Sequence, residues 1–332
     1  MATNYLYGTI LTGEAVAANN RGDNIGNTTT LQKVFHQDDV HTSVSAEAIR
    51  FALRYRLQLE GLETRLNRTY DPSASELHYK DEKREKWNPD GDVFIDDDLM
   101  GFMDAPAAKK EKEEEVAELA DEAESVTPTK GAKKAKTKGK SATKRPSPLA
   151  VGRAVSLRPY RGELSFNAVS GEKVKGKLSL YNAEMHTTEY QYSFGLNLDD
   201  VVKKENVGHL INAVVDPPPV AGNHARFAYD FSPASIVLRV TNAHSSRIQN
   251  CFEHDEESRT YTVERLIRRV EGGDVPAAEL IVGGELAGTS EGARLQELGV
   301  TIFPGVKAAA DEARRRIAAL GAEFASAERN GG

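Results

Sequence analysis

Arg50 and Arg54 stand four residues apart in a stretch with helical periodicity, which puts two guanidinium groups on one helical face. A planar fork of N–H donors suits an oxyanion such as phosphate. Just upstream, Ser43 and Ser45 offer short hydroxyl groups. Ser45 also fits the N-cap of the same helix, whose free N–H groups and dipole favour negative charge. Asp96, Asp97 and Asp98 form a second chemistry-bearing run, able to ligate Mg²⁺, with His36 or His41 as a general base for hydrolysis. Against a metal site, three adjacent carboxylates on a strand alternate in direction and cannot all face one ion. The sequence holds no Walker loop, dinucleotide fingerprint, zinc spacing or Ser-His-Asp signature.

These groups need elements to place them. An apolar, β-prone run over 5–12 gives way to the polar loop Asn19, Asn20, Arg21, Gly22, Asp23, Asn24, where Asn and Gly favour turns. Ile49, Ala52, Leu53 and Leu57 recur at helical spacing until Gly61, predicting a helix over 46–60 with Arg50 and Arg54 off its apolar stripe. Two β-prone runs, 164–169 and 174–181, flank Ser170-Gly171-Glu172-Lys173 and predict a protruding two-stranded arm. Alternation over 188–196 predicts a half-buried strand. Asp199-Asp200 then cap a helix to about Val215, closed by three prolines. Strand-like runs follow over 226–231 and 236–240. The tail reads as helix (263–270), strand (280–283), helix, strand (300–303) and a long helix (306–327). With the arm set aside, the order β-α-β-β-α-β predicts an α+β, ferredoxin-like sheet of the RNA-recognition type, which presents a sheet face or loops to single-stranded RNA.

Composition narrows the classes. No stretch approaches the eighteen or so apolar residues that cross a bilayer, and no secretory signal opens the sequence, so a cytoplasmic protein without a membrane partner is expected. Cys251, the single cysteine, excludes an intramolecular disulfide and any cysteine-rich metal cluster. The net charge is −7, and residues outside 109–145 carry 32 basic against 42 acidic groups. Any nucleic-acid site must therefore be a local basic groove, with acidity such as Asp255-Glu256-Glu257 directed elsewhere. Residues 105–144 are Lys/Glu-rich, then Lys/Ala/Gly/Thr-rich, and read as a disordered or loosely helical insertion.

Four segments together resemble the DevR branch of the large backbone subunit of type I CRISPR Cascade complexes, in the RAMP superfamily. They are Asn19 to Asn24 followed by Thr42 to Arg54; Asp96-Asp97-Asp98-Leu99-Met100-Gly101-Phe102-Met103; Arg145-Pro146-Ser147-Pro148 through Arg153 to Leu157; and Pro219 to Tyr229. Their order and spacing carry the resemblance; the last ninety residues match only as helix and strand. It implies a right-hand shape: an RRM-like palm begun in 1–104 with a finger segment, resumed by a return strand over 145–157, and completed in 188–332. A β-hairpin thumb spans 158–187. It further implies a non-catalytic subunit, without cofactor, that stacks head to tail with copies of itself along the spacer of a crRNA. The guide would then be presented to a target DNA strand beside a large subunit, a backbone-capping subunit and a crRNA-processing subunit.

That role implies contacts to phosphate, ribose and base faces, which every nucleotide shares. Arg21, Arg50 and Arg54 suit phosphates; Asn20, Asn24, Ser43 and Ser45 suit phosphate or ribose oxygens. Arg145 and Arg153 flank the return strand, and His224 with Arg226 would complete the groove. Displacing a base needs an apolar wedge, for which Met103, Phe166, Met185 and His186 are the candidates. Glu47 departs from the pattern, since a carboxylate there meets phosphate with like charge. The rivals are a metal- or histidine-dependent endoribonuclease of the same superfamily and a DNA-binding autoregulator. The latter lacks a basic recognition helix.

Overall fold

The computed structural model describes every residue except 1–2, 19–23, 37, 72–75, 104–143, 169–179, 221–228, 258–259 and 331–332. The predicted insertion, the turn 170–173, and Asn20, Arg21, His224 and Arg226 therefore lie outside the described residues. In chain order the first elements are β1 (Tyr5–Thr12), β2 (Ala15–Ala17), β3 (Asn24–Ile25), β4 (Thr28–Thr29), β5 (Lys33–His36), β6 (Asp39–Val44) and α1 (Ala46–Leu59). There follow β7 (Arg68–Tyr70), β8 (Leu77–Tyr79), α2 (Ile95–Met100), β9 (Phe102–Met103), β10 (Lys144–Arg145), β11 (Leu149–Val151) and β12 (Ala154–Ser156). The second half holds β13 (Glu163–Ala168), β14 (Leu180–Thr188), β15 (Tyr190–Asn197), α3 (Glu205–Val215), β16 (Pro233–Thr241), β17 (Glu253–Asp255) and β18 (Thr260–Thr262). It ends with α4 (Glu264–Glu271), β19 (Leu280–Gly284), α5 (Ser290–Glu297), β20 (Thr301–Phe303) and α6 (Val306–Asn330).

One nine-stranded sheet organises the body in the order β20-β19-β16-β1-β15-β12-β6-β5, with β11 also on β15. Its centre, β16-β1-β15 flanked by β11 and β12, is antiparallel throughout. Together with α1 and α3 these strands run β1-α1-β11-β12-β15-α3-β16 along the chain, one strand more than the expected β-α-β-β-α-β. Alternation along β1 divides the molecule. Leu6 and Ile10 join Ile49, Leu53, Leu57, Tyr190, Tyr192 and Leu210 under α1, α3 and α6. On the opposite face Leu11 packs with Val237, Phe252, Leu266, Leu280 and Leu295 under α4 and α5.

α1 forms as its sequence predicts. Ser45 Oγ accepts from the Ala48 N–H at 3.2 Å, Glu47 occupies the first turn, and Gly61 follows the C-cap at φ 79°. α3 starts later than the expected Asp199-Asp200 cap, and the reason is tertiary. The Asp199 carboxylate accepts from the Asn4 N–H and Asp200 from the Asn197 amide. The Val202 and Lys203 N–H groups donate to Asp98 on α2.

Four further expectations are corrected. The aspartates lie on the helix α2, not on a strand. The second hairpin strand continues to Thr188, past its expected end at Tyr181, in a register that pairs Glu163 with Met185 and Ala168 with Leu180; 174–179 lie outside the described residues. Nor is this a free two-stranded arm: β14 also pairs with β4 and β2, within a five-stranded sheet. Finally, Tyr229–Phe231 is irregular, and its rings pack against Tyr190 while the Tyr229 hydroxyl donates to the Gly13 and Thr188 carbonyls.

Candidate nucleic-acid interface

The β6–α1 junction brings together Ser43, Ser45 and Arg153. Arg153, exposed in the short link between β11 and β12, donates to Ser43 Oγ at 3.2 Å and to Gln32 Oε1 at 3.3 Å. Both partners are neutral, and no ion pair to Arg153 exists among the described residues. Its charge therefore faces solvent beside the N-terminus of α1, where helix N–H groups add positive potential. Glu47 is exposed on the first turn of that helix.

Arg50 and Arg54 are used differently. Arg50 donates to the Leu149 and Met100 carbonyls, each at 2.8 Å, and to Ser147 Oγ at 3.1 Å. Burial, then the neighbouring charges of Arg54 and Arg68, lower its pKa. Arg54 is 8% exposed, with Nε 3.7 Å from Asp96 and its other nitrogens on Tyr70 Oη and Met100 Sδ. Arg54, expected off the apolar stripe and on phosphate, is thus placed inside the protein. β7 and α2 cover that side of α1, which periodicity within α1 cannot reveal.

The aspartates act as a hub. All three are fully buried; Asp96 and Asp97 both address Asn67 and Arg68, and Asp98 addresses the start of α3. Asp96 accepts from the Asn67 and Arg68 N–H groups at 2.8 and 3.1 Å. Asp97 accepts from Asn67 Nδ2 at 2.6 Å and Arg68 at 3.3 Å, with Arg84 Nε at 3.1 Å. Asp98 takes the Val202 and Lys203 N–H groups, Asn206 Nδ2 at 2.9 Å and Arg145 at 2.8 Å. Burial, then Asp96, raises the Asp97 pKa against the lowering effects of Asn67, Arg84 and Arg68. Helical geometry sends the carboxylates apart, and no metal-ligating group of three exists among the described residues. His41, the proposed base, packs edge-on against His36 and holds the Ser156 carbonyl through Nδ1 at 2.7 Å.

The wedge candidates divide. Met103 is 64% exposed at the end of β9 and Phe166 is 71% exposed on β13, whereas Met185 is half-buried. His186 is buried, with Nδ1 2.8 Å from Thr42 Oγ1 and its ring edge-on to Tyr160. Burial is the main cause that pushes its pKa down to about 4, so it is neutral at pH 7 and is a packing group rather than a cationic contact. Arg145 pairs with Asp98 and the Asp200 carbonyl and lies over the Trp87 ring. Of Asn24 only the backbone is described, paired with Thr29.

Register shows what residue-by-residue reading missed. Phe166, Asn182, Thr28 and Ile25 form one row across β13, β14, β4 and β3, and Leu164 opposite Glu184 shares that face. Ile25, Leu164 and Phe166 are all exposed there. Lys33 reaches Glu184 from β5, two residues before Phe35, which is 85% exposed. The only sequence signal was Leu164 and Phe166 at strand spacing; the row itself is made by β3 and β4.

The family model for the "CRISPR-associated negative auto-regulator DevR/Csa2" matches residues 11–269. The chain belongs to the DevR/Csa2 family. A relative from Myxococcus xanthus (strain DK1622), described as "CRISPR-associated protein Cas7/Cst2/DevR", is 37% identical over 323 residues, covering 94% of this chain and 97% of that protein. Among solved structures, a chain of a "CRISPR RNA-guided surveillance complex" aligns with TM-score 0.56 at 14% identity, covering 94% of this chain and 99% of that one. A chain of a "CRISPR RNA-guided surveillance complex, pre-nicking" gives TM-score 0.57 at 14% identity, covering 94% and 100%. The DevR/Csa2 match spans β1 to α4 and so includes the hub, the β6–α1 junction and the hairpin sheet. No helix among the described residues is long and apolar enough to cross a membrane.

Proposed function

We propose that the chain is a non-catalytic backbone subunit of a CRISPR RNA-guided surveillance complex, gripping the spacer of a guide RNA and presenting it for pairing with target DNA. The observation that carries this reading is the placement of an uncompensated Arg153 at the N-terminus of α1 together with an exposed apolar row, Ile25, Leu164 and Phe166, on the hairpin sheet. The first supplies phosphate contact without base readout, and the second supplies apolar surface for displaced bases or a neighbour. The antiparallel central strands act as an RRM-like palm, 61–103 as a finger and the β13–β14 hairpin as a thumb. Asn20, Arg21, His224 and Arg226 complete the groove. Arg50 and Arg54 contribute positive potential from within the protein rather than direct contacts.

Copies stack head to tail. That requires two unlike faces, and a second pair of exposed apolar side chains, Leu77 and Tyr79 on β8, belongs to a different sheet from the hairpin row. The family description also names an autoregulator. Denaturing extraction of nucleic acid from the assembly purified from its native cells tests both. RNAs of one length class, stable on incubation with Mg²⁺, support the guide carrier; duplex DNA supports the regulator, and shortening RNA supports a nuclease.

A further inference from the structure

Asp98 and Arg145 have no direct place in the guide-binding reading, yet they stand at the root of the exposed Met103. β9 and β10 pair Met103 with Lys144 and Phe102 with Arg145. The chain thus leaves the described body at Met103 and re-enters it beside the point of departure. The crossing is tight: at Gly101, φ 66°, an added Cβ would lie 2.4 Å from the Arg145 carbonyl oxygen, so only glycine fits. Arg145 fixes the crossing from the other side. Its guanidinium donates to the Asp98 carboxylate at 2.8 Å, the Asp98 carbonyl at 3.0 Å and the Asp200 carbonyl at 2.7 Å, and its plane lies 4.6 Å from the Trp87 ring centre. Trp87 in turn packs edge-on against Phe102, which Arg84 covers. Asp98 anchors the whole to the start of α3 through Val202, Lys203 and Asn206.

We infer that Asp98 and Arg145 are positioning residues that hold the Phe102–Met103 strand in one place relative to α3, so that Met103 meets the bound strand at a fixed nucleotide. What Met103 touches rests on the guide-binding reading; the clasp itself does not. All three oxygens meet one guanidinium nitrogen, which a lysine ammonium could imitate; what lysine cannot supply is the flat guanidinium face over Trp87.

Two readouts test it on the full chain. The first needs no RNA: amide hydrogen exchange in Arg145→Lys. Exchange at Phe102 and Met103 is expected to accelerate at least tenfold, with β15 amides unchanged; unaltered exchange at those two residues overturns the inference. The second places p-benzoylphenylalanine at position 103 and maps photo-crosslinks to a single-stranded RNA of defined sequence. Crosslinks confined to a recurring nucleotide in the parent and spread at least threefold more widely in Arg145→Lys, at the same salt dependence of binding, support it. An identical crosslink pattern in both overturns the positional claim. A parent that binds no RNA sinks the guide-binding reading instead, and the exchange experiment still decides the clasp. Asp98→Asn is the stronger variant. Should it fail to fold, Arg145→Lys, which keeps the charge, carries the test.

Discussion

Around α2, charge is inside: three fully buried aspartates are matched by Arg54, Arg68, Arg84 and Arg145 and by backbone N–H groups. On the hairpin sheet, apolar surface is outside: Ile25, Leu164 and Phe166 face water in adjoining rows. Each region inverts the usual distribution, and for opposite reasons. A buried carboxylate is tolerable only when its oxygens are satisfied, so the hub gives geometry to the segments it joins. An exposed apolar row gains nothing in the isolated chain, so it marks a surface that another molecule covers. Arg54 and Arg145, which look like phosphate ligands in the sequence, serve the first purpose, whereas Arg153 has no ion-pair partner among the described residues.

The sharpest way to break this contrast is to remove a hub carboxylate. Asp97→Ala removes the carboxylate that faces Arg84 Nε, Arg68 and the Asn67 amide, and about 3–5 kcal/mol of stability should be lost, measured by denaturant unfolding. A loss below about 1 kcal/mol would show that the hub is hydrated and dispensable. The next effect is on pH. Folded His186 has its pKa pushed down to about 4, below the unfolded value near 6.5. Its contribution is complete above about 6.5 and is lost as pH falls toward 4, up to roughly 3 kcal/mol for so depressed a group. In His186→Gln that acid limb should flatten. By contrast, Phe166→Ala and Leu164→Ala should change stability by less than about 0.5 kcal/mol while weakening guide binding or subunit stacking, read by sedimentation of the assembly. Replacing 104–143 by an Asn-Gly turn should have the smallest effect, within about 0.5 kcal/mol and with assembly unchanged, because Met103 and Lys144 are already ladder partners.

How much of this was legible in the sequence follows the range of the interactions. The bounds of α1, its Ser45 cap and β1 rest on neighbours within a turn or a strand, and local patterning located them. The alternation of strands with helices was readable for the same reason, but not the division of the return strand into β11 and β12. The delayed start of α3, the burial of Arg54 and the pairing of β14 with β4 depend on partners distant in sequence, such as Asn4 for Asp199, Asp96 for Arg54 and Thr28 for Asn182. The aspartate run was visible as a run, but its role was not, since a strand and a helix send consecutive carboxylates in different directions. Of the residues expected at the site, Arg153, Met103 and Phe166 are exposed, whereas Ser43 is buried, a difference that residue type does not reveal. Ile25 and Phe35 were overlooked because single apolar residues in short strands carry no periodic signal.

The contrast between spent and free arginines can be measured as one number, the slope of log affinity against log salt for a single-stranded guide RNA. Arg153→Ala should reduce that slope by about 0.7, the value for one lost phosphate contact on a single strand, equally for unrelated guide sequences. Arg50→Ala, whose guanidinium holds the Leu149 and Met100 carbonyls, should leave the slope nearly unchanged while lowering the unfolding midpoint. A slope that falls with Arg50→Ala and not with Arg153→Ala would contradict the assignment of the groove and the reading built on it.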